Sequence, residues 1–226
     1  MRRFVAALAV TAVTVFGGQP VARADSPAAE NPWVRIWRNS VYLTGDSLTW
    51  ATAPYLQYLF DIGGRELQVK AYPGVTIQEA LPWTQAEVAA PPMPPTAVVA
   101  LGANDTEPPA QLMWWIEGMI DTLPPTEHII WVNYYSRIAD DSAKNEVLSF
   151  VASLHPNVTV LDWASVIGQH PEDMLPDGVH YTPAGYGLRA LTIAAALPPT
   201  VPRWAAVSKP TFREAMLTNS RIDADG

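Results

Sequence analysis

Ala97-Val98-Val99-Ala100-Leu101-Gly102-Ala103-Asn104-Asp105 sets five apolar residues without interruption against a small, polar turn. A strand with one wet face alternates apolar and polar residues, so an unbroken apolar run marks a strand buried on both faces. Four further segments read as strands around it: Ser40 to Leu43 and Glu66 to Ala71 upstream, His128 to Asn133 and Val158 to Leu161 downstream. Stretches with helical spacing separate them, at Trp50 to Phe60, Thr76 to Val88, Pro109 to Leu123 and Ser142 to Leu154. The series closes with Pro183 to Leu197, strongly apolar and with Pro in its first turn. Strand and helix thus alternate five times, and parallel strands need crossovers of this kind, so the fold class is α/β with a parallel sheet and helices on both faces. Pro82 is expected to break or kink the 76–88 helix. Trp33-Val34-Arg35-Ile36-Trp37 is amphipathic but too short to assign, and the connection from 162 to 182 is long and unassigned.

Met1-Arg2-Arg3, the apolar run Phe4 to Phe16 and the small-x-small triplet Ala22-Arg23-Ala24 have the form of a secretory signal, with cleavage expected after Ala24. The apolar run is shorter than the roughly 20 residues that span a bilayer, which makes an uncleaved anchor the weaker alternative. Removing residues 1–24 takes away three arginines and no acid, leaving 11 basic against 22 acidic residues. No basic cluster offsets that balance, which argues against nucleic acid as a partner. There is no cysteine, so stability comes from the core. The expected organisation is a signal at 1–24, a lead-in at 25–39, one domain at 40–199 and a Pro-rich tail at 200–226.

Ser47, in Thr44-Gly45-Asp46-Ser47-Leu48-Thr49, follows the first strand and opens a helix, a position that presents a side chain at the carboxyl edge of a sheet. Gly74 and Asn104 stand just past the second and third strands, about one βαβ unit apart. In a parallel sheet those ends share one edge, so all three converge on one crevice, and Asp177-Gly178-Val179-His180, before the last helix, reaches the same edge.

Gly45-Asp46-Ser47-Leu48, the lone Gly74, Gly102-Ala103-Asn104-Asp105 and Asp177-x-x-His180 resemble, in order and spacing, the four sequence blocks of the SGNH (GDSL) hydrolase family. The resemblance covers roughly Ser40 to Leu197. It implies a three-layer α/β/α sandwich with a five-stranded parallel sheet of flavodoxin-like type. It also implies Ser47 as nucleophile, His180 as general base and Asp177 as its orienter. The oxyanion donors would be the backbone N–H groups of Ser47 and Gly74 and the side-chain amide of Asn104, with no metal and no organic cofactor. A serine hydroxyl needs an imidazole to take its proton, a carboxylate fixes that imidazole's tautomer, and fixed donors receive the charge that develops on the carbonyl oxygen. The expected activity is a secreted serine esterase, lipase-like or deacetylase-like, acting on short O-acyl or acetyl esters. Its substrates would be small-molecule, lipid or glycan esters, with association to the cell envelope and no obligate protein partner. The alternatives are O-acyl transfer or deacetylation on cell-wall glycans and, in another class, a non-catalytic carbohydrate-binding envelope protein.

Other residues have plainer readings. Asp46 and Asp105 read as turn acids bonding local backbone. His128, His155 and His170 show no acid or serine at a matching position. Asp173 is a weaker rival to Asp177, and Asp173, Asp177 and His180 lack the further strong ligand of a metal site. Leu112, Met113, Trp114, Trp115 and Ile116 form either a core-facing stripe or an apolar lip for acyl chains. Specificity is expected in the loops at 76–95, 106–109, 134–141 and 167–176.

Overall fold

The computed structural model describes residues 32–90, 92–123 and 128–200. The signal segment, the start of the lead-in and nearly all of the expected tail lie outside them. Helix α1 (Pro32–Arg38) precedes β1 (Ser40–Gly45), α2 (Ser47–Gly63), β2 (Glu66–Ala71), α3 (Ile77–Ala89), β3 (Thr96–Ala100), α4 (Pro109–Thr122) and β4 (His128–Val132). The chain continues through α5 (Ser142–Leu154), β5 (Val158–Leu161), α6 (Trp163–Gly168), a single 3₁₀ turn at Pro171–Asp173 and α7 (Pro183–Ala196). The five strands form one sheet in the order β2-β1-β3-β4-β5, and every pairing is parallel.

Composition explains that order. The near-continuous apolar strands β1 and β3 are buried along their whole length and β4 along all but its first residue, and they occupy the middle. β2, with Glu66, Gln68 and Lys70, and the short β5 are only partly buried and form the edges. Side chains alternate between two cores with period two. Tyr42, Ala97, Val99, Ile129 and Trp131 face the core shared with α3, α4 and α5. Val41, Leu43, Val98, Ala100, Ile130 and Val132 face the core shared with α2, α6 and α7. The architecture is therefore the three-layer α/β/α sandwich expected from the sequence.

Two expectations are corrected. Helix α3 runs unbroken through Pro82; its start is secured by a capping box in which Thr76 and Glu79 satisfy each other's backbone N–H groups, which offsets the hydrogen bond Pro82 cannot donate. The connection before α7 carries α6 and the 3₁₀ turn, too short to leave a periodic signal.

Candidate active site

Strand order builds the site. β1 lies between β2 and β3, so the turn after β1 is flanked on one side by the turn after β2 and on the other by the turn after β3. Connections reverse direction at that point, the place where open α/β sheets bind ligands. The turn itself is tight: a Cβ on Gly45 would lie 2.1 Å from Thr49 Oγ1, so only glycine lets the strand pass directly into α2. Asp46 caps the helix, its Oδ1 accepting the Leu48 N–H at 2.9 Å. Its carboxyl is 2% exposed and pushed up by burial, against which the Arg189 charge and the turn's N–H groups pull it down. Asp46 is thus a turn acid, and Ser47 is the first residue of α2.

Ser47 Oγ lies 3.0 Å from His180 Nε2, and His180 Nδ1 lies 2.9 Å from Asp177 Oδ2. These groups meet although 133 residues separate Ser47 from His180. Asp177 Oδ1 accepts the N–H groups of Val179 and His180, both at 2.9 Å. Those two bonds and the imidazole N–H hold the carboxyl down at about 2. The Asp-Gly-Val-His turn is braced from the next loop, where the Arg137 N–H donates to Gly178 O at 2.7 Å and Arg137 Nη2 to Leu175 O at 2.6 Å. Gly74 is exposed at φ +78°, a left-handed backbone that favours glycine. The Asn104 amide donates to Val75 O at 3.0 Å. The next residue, Asp105, accepts the Ile77 N–H through both oxygens at 3.2 and 3.1 Å, so the Asn104 turn and the Gly74 turn are doubly tied. Asp105 therefore braces more than its own loop. Its carboxyl is pushed up to about 6 by burial, with the Ile77 N–H opposing and Glu107 adding to the rise.

The remaining candidates sort differently. His155 Nε2 pairs with Glu117 at 2.8 Å and His170 Nδ1 faces Glu172 at 3.4 Å, so both have an acid partner, contrary to expectation, and no serine joins either pair. Among the described residues, the group whose ligand atoms cluster is His170, Glu172 and Asp173, not Asp177 and His180. Asp173 lies against Thr182 Oγ1 at 3.4 Å, while Asp177 holds the imidazole. On α4, Leu112 and Ile116 are core, whereas Met113 and Trp114 are exposed. Two supporting residues escaped the sequence reading. Lys144 Nζ donates to Gly102 O and Ala103 O at 3.3 Å, behind the Asn104 turn. Arg189, 3% exposed, donates to Thr52 Oγ1 at 3.1 Å beneath the Asp46 turn; a single charge in an otherwise apolar helix was its signal.

No family model matches the chain. A segment of 58 residues, 26% of the chain, is 45% identical to the candidate peptidoglycan O-acetyltransferase YrhL of Bacillus subtilis (strain 168), of whose length the match spans only 9%. In structure the chain is similar to the C-terminal catalytic domain of peptidoglycan O-acetyltransferase A (OatA) of Streptococcus pneumoniae, with 26% identity and a TM-score of 0.59 over 70% of this chain and 92% of that one. It is also similar to a member of the lipolytic protein G-D-S-L family from Veillonella parvula, with 16% identity and a TM-score of 0.57 over 70% and 97%.

Proposed function

We propose that this chain, an SGNH (GDSL) hydrolase-type protein in its fold and in the order of its sequence blocks, is a serine-dependent enzyme that breaks O-acyl esters through an acyl-enzyme. The observation that carries the reading is the hydrogen-bonded series Ser47 Oγ, His180 imidazole, Asp177 carboxylate. Asp177 accepts from Nδ1–H, which leaves Nε2 as the acceptor facing Ser47 Oγ. As Oγ attacks the ester carbonyl, its proton passes to Nε2. The carbonyl oxygen becomes an oxyanion, received by the backbone N–H groups of Ser47 and Gly74 and by an N–H of the Asn104 amide. Collapse of that intermediate expels the alcohol, which takes the proton from the imidazolium. Water then attacks the Ser47 acyl group by the same steps in reverse, and the acid departs.

A second reading has a specific support in the likeness to the OatA catalytic domain and to a segment of YrhL. In it a glycan hydroxyl replaces water in the second half-reaction, and the acyl group is transferred. The basic, apolar and small-residue blocks of the first 24 residues support action outside the cytoplasm, and no helix of the described residues is long and apolar enough to cross a membrane. Hydrolysis of p-nitrophenyl acetate by the purified protein and by Ser47→Ala tests the reaction. Loss of hydrolysis with an unchanged circular dichroism spectrum is expected, and equal activity in the rigorously purified variant removes Ser47 from the chemistry.

A further inference from the structure

The chain neighbours of three site residues meet at one place. Asp46 precedes Ser47, Ala103 precedes Asn104 and Tyr181 follows His180, and all three line one small cavity together with Arg189 of α7. Asp46, Tyr181 and Arg189 are buried there. Arg189 reaches the nucleophile turn in two ways. Its Nη1 donates to Thr52 Oγ1 at 3.1 Å, and that hydroxyl donates to Leu48 O at 2.6 Å, in the first turn of α2. Its charge, acting across the cavity, is the one that offsets the burial of Asp46, whose Oδ1 accepts the Leu48 N–H at 2.9 Å. Leu48, the residue after Ser47, is thus held by its N–H through Asp46 and by its carbonyl through Thr52.

Packing of α7 on α2 does not account for a charge at this position. Burying a guanidinium costs free energy, and Arg189 Nε has no hydrogen-bond partner among the described residues, so an aliphatic side chain of similar length would fill the same space more stably. Asp46 supplies the reason. A carboxylate binds backbone N–H groups more strongly than a neutral acceptor does, and a buried carboxylate needs a cation nearby. We infer that Arg189 is a positioning residue for the nucleophile: its charge compensates the buried Asp46 carboxylate and its hydrogen bond fixes Thr52, so that Leu48 is clamped at both backbone groups and Ser47 Oγ is kept within reach of His180. This rests on Ser47 as the nucleophile. Arg189 touches no reacting atom, so its effect falls on turnover and not on substrate binding.

Arg189→Met keeps most of the side-chain length and leaves the Asp46 carboxylate uncompensated. With p-nitrophenyl acetate and the purified full-length protein, kcat should fall about 10- to 100-fold, the scale of a reacting group displaced by up to about 1 Å, while KM stays within about twofold. Combining Arg189→Met with Asp46→Asn removes both charges and keeps an acceptor for the Leu48 N–H, so the double variant should recover at least about fivefold in kcat over Arg189→Met. A double variant no better than Arg189→Met, as expected if Arg189 serves only the core, overturns the inference, and so does parental kcat in Arg189→Met. Thr52→Val has the same shape, breaks the clamp without touching either charge, and should lower kcat at least about threefold at unchanged KM. It decides the matter if Arg189→Met does not fold, because parental kcat in Thr52→Val overturns the inference as well. Ser47→Ala separates the two claims. Hydrolysis that survives it removes the nucleophile and the positioning role together, whereas an inactive Ser47→Ala beside a fully active Arg189→Met removes the positioning role alone.

Discussion

Replacing Asp105 by Asn is expected to stabilise the protein at neutral pH and to lose that advantage near pH 4. Asp105 is 1% exposed, accepts the Ile77 N–H through both carboxylate oxygens, and is pushed by burial from 3.8 up to about 6. A carboxyl that holds its proton more tightly folded than unfolded makes the folded state bind more protons between those two values, so stability falls as pH rises through that window and is level above it. A rise of about two units corresponds to on the order of 2–3 kcal/mol, present below the unfolded value and gone by about pH 7. Asp105→Asn keeps a carbonyl acceptor for the Ile77 N–H and never ionises. Urea unfolding followed by circular dichroism from pH 4 to pH 7.5 should show the variant gaining on the parent by that amount as pH rises. Asp105→Ala isolates the hydrogen bond, because it too never ionises but leaves the Ile77 N–H buried without its acceptor, and it should be less stable than Asp105→Asn by about 1–3 kcal/mol at every pH. A difference between Asn and Asp proteins that is constant with pH, or that shrinks as pH rises, refutes the electrostatic reasoning.

Asn104→Ala should lower kcat by roughly 10²–10³ with little change in stability, the usual cost of one oxyanion donor; near-full turnover would take Asn104 out of the site. Gly45→Ala forces a Cβ into Thr49, whose hydroxyl donates to Ala100 O at 3.3 Å, so it should destabilise by about 1–3 kcal/mol and displace Ser47. A thermal scan and kcat measured together check this, and a variant unchanged in both would contradict the packing at that turn.

The sheet was legible in the sequence because its central strands are apolar almost without a break and its edge strands are not. Ala97 to Leu101 announces burial on both faces, and the alternation of Glu66 to Ala71 announces a strand, whose place at the sheet edge only the pairing shows. Ser47, Asp177 and His180 were legible as candidates because each sits at a turn beside a regular element, where topology can collect distant residues. What the chain did not disclose is which face of an apolar helix meets solvent. Helix α2 carries large apolar side chains on its outer face as well as its inner one, so their residue types do not separate the buried Leu56 and Phe60 from the exposed Trp50, Tyr58 and Ile62. The apolar stripe on α4 likewise divides in a way the sequence does not disclose: Leu112 and Ile116 are core, while Met113 and Trp114 are exposed. The ties from Lys144 and Arg189 were hidden for another reason: each joins residues more than 40 positions apart, and spacing carries no trace of such pairs.

The central claim is that Ser47 is a nucleophile activated by His180. A fluorophosphonate probe reacts only with an activated serine, and mass spectrometry of the digested protein locates the adduct. At neutral pH the adduct is expected on Ser47, absent from Ser47→Ala and strongly slowed in His180→Ala. A folded protein that remains unlabelled at Ser47, or that is labelled as fast without His180, would contradict the serine mechanism.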